Sequence, residues 1–341
     1  MINYYRGCLI GGAVGDALGW PVEFMHMNDI KRNFGKHGIT NLVIANNGYS
    51  EITDDTQMTI FTIEGLLRAE NRGRSRGVVH TPSMVHKSYL RWLATQGVEN
   101  PVNRDGWVYG LAELHTRRAP GNTCLSALAS GQIGEVSKPI NESKGCGGVM
   151  RTAPVGLFYD KKTAFQFGCD IAAITHGHPS GYLSSGALSY LIAAVLETSD
   201  LSNAVELMLE ELKAWPNHEE CSEVISKAVQ LAAENHPDSK AIEILGEGWV
   251  GEEALAISIY CALKYQNDFR AALIAAVNHN GDSDSTGAIT GNILGALLGI
   301  ESIPEQWVKG MELSRELLQL ADDLFHRYDE TEAWQKKYPG W

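Results

Sequence analysis

Two short segments crowd carboxylates and hydroxyls just where a helix is about to begin. Thr53-Asp54-Asp55-Thr56 precedes an amphipathic run, and Gly281-Asp282-Ser283-Asp284-Ser285-Thr286 precedes a run striped with glycine. Ser, Thr and Asp are preferred helix caps, so capping is the plain reading of either segment. A cap uses one side-chain oxygen, however, and each segment offers two carboxylates besides its hydroxyls. Gathered like charges disfavour ionisation, and a helix start supplies only about half a unit of positive charge. Hard cations such as Mg²⁺ and Mn²⁺ take oxygen ligands of this kind and would balance them. Adjacent residues at a helix start project about a quarter-turn or more apart, so Asp54 and Asp55 can serve neighbouring ions.

Other segments carry weaker signals. Gly145-Cys-Gly-Gly-Val-Met-Arg151 is glycine-rich and leads into a helical stretch; its backbone N–H groups could cradle a diphosphate, although glycines more often mark ordinary turns. Thr175-His176-Gly-His178-Pro179 holds two histidines with no third soft ligand nearby, which argues against a transition-metal site. Trp249, taken alone, has core packing as its plain reading. Pro21 ends the first helix and leaves Glu23 in a loop, where a solvated carboxylate is the ordinary expectation.

Helices must position these groups. Apolar residues recur at helical spacing over Asp55–Asn71, Leu183–Leu196, Leu201–Trp215, Ser222–Ala233, Glu252–Tyr265, Phe269–Val277 and Met311–Tyr328. Ile39–Ile44 is the one short strand candidate. Glycine falls at every fourth residue in Gly7, Gly11, Gly15 and Gly19, and again in Gly287, Gly291, Gly295 and Gly299. Each glycine inside a helix costs roughly 1 kcal/mol against alanine, so the two stripes need a compensating gain. Either both helices are tightly packed in general, or they touch each other. The second reading brings Asp16 and the aspartates before Gly287 into one neighbourhood.

The chain has 341 residues, 44% apolar, with a formal net charge of −13. That charge disfavours a nucleic-acid backbone or an anionic membrane as the main partner. Six scattered cysteines without a C-x-x-C pair read as reduced, packed thiols of a cytoplasmic protein. No apolar stretch reaches the roughly 18 residues of a membrane span, and no signal peptide is evident. No linker divides residues 1–341, so one domain is expected.

Taken in order, Gly12-Ala-Val-Gly-Asp-Ala-Leu-Gly19 with Glu23, Thr53–Thr56, Gly145–Arg151, Thr175–Pro179, Gly246-Glu-Gly-Trp249 and Gly281–Gly287 resemble the ADP-ribosylglycohydrolase family over nearly the whole chain. The resemblance implies an all-α fold, a single compact orthogonal helical domain with a central cleft holding two divalent cations, Mg²⁺ or Mn²⁺. It implies Thr53, Asp54, Asp55, Asp282, Asp284 and Ser285 as metal ligands. Ser285 stands where many relatives have threonine and keeps the hydroxyl. Catalytic roles fall on Glu23, Asp55 and Asp284. ADP-ribose contacts fall on Gly145, Gly147, Gly148, Met150, His176 and Trp249, with His178 structural and Asp16 a supporting partner. The implied activity is metal-dependent release of ADP-ribose from a modified target. Arg118-Ala-Pro-Gly-Asn-Thr-Cys124, with an aromatic near the leaving group, resembles the arginine-directed branch more than the serine-directed one, so protein ADP-ribosyl-arginine is the leading substrate. ADP-ribosyl-serine, O-acetyl-ADP-ribose and ADP-ribosylated nucleic acid are the other enzyme readings, the last disfavoured by the acidic charge. Two other readings stay open: a protein that blocks an ADP-ribosyltransferase by binding, and a Mg²⁺ phosphohydrolase acting on the diphosphate.

Overall fold

The computed structural model describes residues 1–340. The chain runs through α1 (Ile2–Gly19), α2 (Met27–Phe34), α3 (Asp54–Arg76), α4 (Thr81–Thr95), α5 (Asn122–Ala129), α6 (Ala153–Phe158), α7 (Lys161–Ala173), α8 (Pro179–Thr198) and α9 (Leu201–Lys213). It continues through α10 (Glu219–Ala233), α11 (Asp238–Leu245), α12 (Gly251–Lys264), α13 (Phe269–Val277), α14 (Ser283–Leu298), α15 (Glu305–Gly310), α16 (Ser314–His326) and α17 (Glu332–Lys337). Among the described residues there is no β-sheet, only isolated bridges, and no helix is long and apolar enough to cross a membrane.

The glycine stripes are an interface. A methyl group on Gly15 would lie 2.0 Å from the Gly287 carbonyl oxygen, one on Gly11 2.3 Å from that of Gly291, and one on Gly7 2.2 Å from that of Gly295. The numbers rise on one helix as they fall on the other, so α1 and α14 run antiparallel with their backbones in contact. Within this seam the Asn292 amide donates to the Cys8 carbonyl at 2.8 Å. Gly299 departs from its stripe: it ends α14 at φ +78° instead of packing within it. The antiparallel seam sets the end of α1 against the start of α14, and Gly19 abuts Ser283.

The expected helices form, with shifted ends. The first begins at Asp54 and runs on to Arg76, where Gly77 at φ +74° closes it. Met311–Leu313 lies outside α16 because the Glu312 N–H pairs with the Ser50 carbonyl and Leu313 takes φ +55°. Ile39–Ile44 is not a strand. Its first residue finds its backbone partners in a side chain: Ile39 N–H donates to Asn278 Oδ1 at 2.9 Å, and Asn278 Nδ2 donates to the Ile39 carbonyl at 2.8 Å. All six cysteines are free, and only Cys146 is not buried.

Candidate active site

Both acidic segments sit at helix starts, as their composition predicts. Thr53 caps α3, its Oγ1 accepting from Asp55 N–H at 3.3 Å, and Asp282 caps α14, its Oδ1 accepting from Ser285 N–H at 3.2 Å. Asp16, delivered by α1, fixes the first cap. Its carboxylate accepts from the N–H groups of Thr53 (3.0 Å) and Thr56 (3.1 Å) and from the Thr56 hydroxyl. These bonds tie Asp16 to the start of α3. Asp54 is held by Gly121 N–H on Oδ2 at 3.2 Å, while its own N–H donates to the Arg118 carbonyl at 3.3 Å.

The seam between α1 and α14 then brings the two segments together. Glu23 follows α1 through the turn Trp20–Val22 and places a ligand oxygen within 4.8 Å of those of Asp282 and Asp284. Asp55, at the start of α3, stands near enough to Asp282 and Asp284, at the start of α14, for their carboxylates to repel one another. Glu23 is only 7% exposed, not the solvated loop carboxylate of the ordinary expectation.

This concentration of acid is electrostatically unbalanced. Burial, with Asp282, Asp54 and Asp16 nearby, pushes Glu23 up to about 9. Burial holds Asp54, Asp55 and Asp284 well above the usual carboxylate range, and neighbouring carboxylates add to it. Asp16 rises to about 6, again through burial, against the hydrogen bonds it accepts. Among the described residues no lysine or arginine makes an ion pair with any of them; the buried Arg118 pairs instead with Glu312. Glu23 Oε2 and Asp55 Oδ2 are buried without any hydrogen-bond partner. Unmatched buried acceptors, oxygen-rich donors and missing positive charge fit a divalent cation.

The glycine-rich segment is pinned beside the cluster. Cys146 N–H donates to the Trp249 carbonyl at 3.1 Å, and Gly251 N–H to the Lys144 carbonyl at 2.8 Å. The N–H groups of Gly148 and Val149 turn inward to the carbonyls of Gly145 and Cys146. The expected cradle of free donors is therefore largely engaged within the protein. The glycines make room underneath as well: a methyl on Gly147 would lie 2.9 Å from Cys124 Sγ, and one on Gly148 2.9 Å from the Gly181 carbonyl.

His176 and Met150 depart from the expectation of an open contact surface, being 1% and 2% exposed. The His176 ring lies under the loop, with Nδ1 2.8 Å from the Thr175 hydroxyl, and burial together with Arg151 drives its pKa down to about 3. It is a neutral prop. His178 caps α8 through Nδ1, which accepts from Ser180 N–H at 3.2 Å. Trp249 is no core residue. It is 39% exposed and stacks on Phe24, itself 72% exposed, with ring centroids 5.9 Å apart. The pair rims a small hollow of about 160 Å³ that Glu23, Glu247 and Asn280 also line.

Sequence reasoning missed two participants. Cys146 places Sγ 2.7 Å from Asp282 Oδ2, and Phe24 is the partner of Trp249. Their adjacency to motif residues was the available signal.

An ADP-ribosylglycohydrolase family model matches residues 2–333. The chain is 26% identical to the ADP-ribosyl-[dinitrogen reductase] glycohydrolase of Rhodospirillum rubrum, covering 93% of this chain and 94% of that one. It is 25% identical to the ADP-ribosylarginine hydrolase Tri1 of Serratia proteamaculans (96% and 80% covered). It is 24% identical to the ADP-ribosylhydrolase ARH3 of Mus musculus (97% and 93% covered). A solved structure titled ADP-ribosylglycohydrolase-related protein complex shares the fold, with a TM-score of 0.66 at 24% identity over 96% of this chain and 98% of the other.

Proposed function

Because the chain belongs to the ADP-ribosylglycohydrolase family, we propose that it hydrolyses the bond between C1″ of ADP-ribose and an arginine side chain of a modified protein, releasing ADP-ribose. The observation that carries this reading is the buried cluster of carboxylates with no cation to balance it, with Glu23 inside it. Two divalent cations, Mg²⁺ or Mn²⁺, held by Thr53, Asp54, Asp55, Asp282, Asp284 and Ser285 would polarise a water and anchor the ribose hydroxyls.

The remaining work falls to the chain. Once the cluster's charge is balanced, Glu23 ionises, and its unpartnered Oε2 accepts the proton of the attacking water. The water oxygen bonds to C1″ as the C1″–N bond breaks. The departing guanidine is a strong base that takes that proton on from Glu23, so no separate acid is needed and Glu23 returns to its ionised form. Asp55 and Asp284 hold negative charge beside an oxocarbenium-like transition state. Trp249 and Phe24 wall the side where Glu23 lies, while Gly145 and Gly147 offer a low surface for the diphosphate, propped from below by His176; Gly148 is buried beneath it. The arginine linkage is supported by relatives named for ADP-ribosylarginine and ADP-ribosyl-[dinitrogen reductase].

The test is a panel of arginine-, serine- and nucleotide-linked ADP-ribose substrates, assayed with and without Mn²⁺. Free ADP-ribose from the arginine substrate, dependent on Mn²⁺, is the expected result. Release of AMP would point to phosphohydrolysis, and chelator-insensitive turnover would remove the metal centre from the account.

A further inference from the structure

Cys146 stands apart from the chain's other cysteines. The other five are buried, whereas Cys146 is partly exposed and its thiol donates to Asp282 Oδ2 at 2.7 Å. The contact is fixed from both sides. Cys146 N–H donates to the carbonyl of Trp249, and Asp282 N–H donates at 2.9 Å to the carbonyl of Glu247, so one loop carries both partners. Asp282 also places a ligand oxygen within 4.8 Å of those of Glu23 and Asp284. In the same cluster the buried Glu23 Oε2 and Asp55 Oδ2 have nothing to bond. A sulfur atom thus stands at the edge of a group of unmatched oxygen donors.

We propose that Cys146 is a sulfur ligand of the metal centre, so that the site takes up thiophilic divalent ions such as Co²⁺, Zn²⁺ or Cd²⁺ through Cys146 and Asp282 as well as harder ions through its carboxylates. Thiolate favours the softer ions, while carboxylate and hydroxyl suit Mg²⁺ and Mn²⁺. On uptake the S–H bond breaks, a metal–sulfur bond forms, and the proton leaves to solvent. Rotation about the single Cα–Cβ bond suffices to aim the sulfur, the backbone on either side being already tied down. The inference rests on reading the acidic cluster as a metal centre.

The experiment titrates the full chain with Co²⁺ under anaerobic conditions and records the near-ultraviolet sulfur-to-cobalt charge-transfer band. Mn²⁺ binding is followed in parallel by electron paramagnetic resonance. A saturable band in the wild type is expected. Cys146→Ser should lose it, with Co²⁺ affinity down about tenfold and Mn²⁺ affinity changed by no more than about twofold. Bound Co²⁺ without the band, or a band undiminished in Cys146→Ser, overturns the assignment and leaves the metal centre standing. Failure of the wild type to bind Mn²⁺ removes the centre and the proposal with it. A second measurement needs no variant: Cd²⁺ should protect Cys146 from iodoacetamide, read by mass spectrometry, whereas saturating Mg²⁺ should not. Equal alkylation with and without Cd²⁺ would also overturn the proposal.

Discussion

Glu64 and Asp55 lie on the same helix, α3, and are both buried, yet they meet opposite surroundings. Glu64 is clasped by two arginines: Oε1 accepts from Arg68 Nη2 at 2.9 Å, and Oε2 from Arg91 Nε at 2.9 Å. Asp55 has carboxylates for neighbours and an unpartnered Oδ2. Where this fold uses a buried acid to join helices, it supplies the counter-charge from its own sequence. At the start of α3 it supplies none, which is the deficit a bound divalent cation would fill. The contrast separates structure from site within a single element.

Breaking the first half of that contrast carries the largest expected effect. Glu64→Gln leaves the buried Arg91 without a counter-charge and Arg68 with Asp105 alone, and should destabilise the protein by about 3–5 kcal/mol in chemical denaturation. A loss under about 1 kcal/mol would mean the arginines find other partners. Breaking the second half should spare the fold and remove the chemistry. Asp55→Ala and Asp284→Ala are each expected to lower ADP-ribose release by about 10²–10³-fold, while the metal-free variants melt no lower than the wild type, since a carboxyl group that burial disfavours has gone.

Asp16→Asn tests the support beneath the site. Asp16 orients the Thr53 cap without offering itself as a ligand, so the variant should weaken Mn²⁺ binding by roughly 10–100-fold while leaving a saturable site in calorimetry. The smallest effect sharpens the contrast through pH. The acids at the site have folded pKa values above their unfolded values near 4, so the folded state holds protons that the unfolded state has released. Their stabilising contribution is fully present below that value and is lost as pH rises through about 6 for Asp16 and about 9 for Glu23. Metal-free protein should therefore melt at least about 5 °C lower at pH 9 than at pH 5, and Mn²⁺ should flatten the difference. A metal-free melting point that rises over this range would contradict the electrostatics described here.

How far all this could be read from residues alone varies with the physics involved. Long amphipathic helices were legible because periodicity reports burial directly. Thr81–Thr95 and Lys161–Ala173 were not, for opposite reasons. The first buries Arg91 against Glu64, which breaks the apolar pattern, and the second contains Gly168, needed for close approach to Ser189. The acidic segments declared themselves because caps do not require so many oxygens. Their convergence rested on the glycine stripes, which permit two helices to touch but do not demand it. The covered positions of His176 and Met150 and the thiol contact of Cys146 follow from how two loops pair, which no local pattern encodes.

Calorimetric titration of the metal-free chain with Mn²⁺ is the most direct test of the claim that Asp54 and Asp55 close around the same ions as Asp282 and Asp284. The account predicts saturable uptake of two ions per chain, with Asp55→Ala and Asp284→Ala each weakening binding although they lie at opposite ends of the sequence. Binding abolished by one substitution and untouched by the other, or no saturable uptake at all, would contradict it.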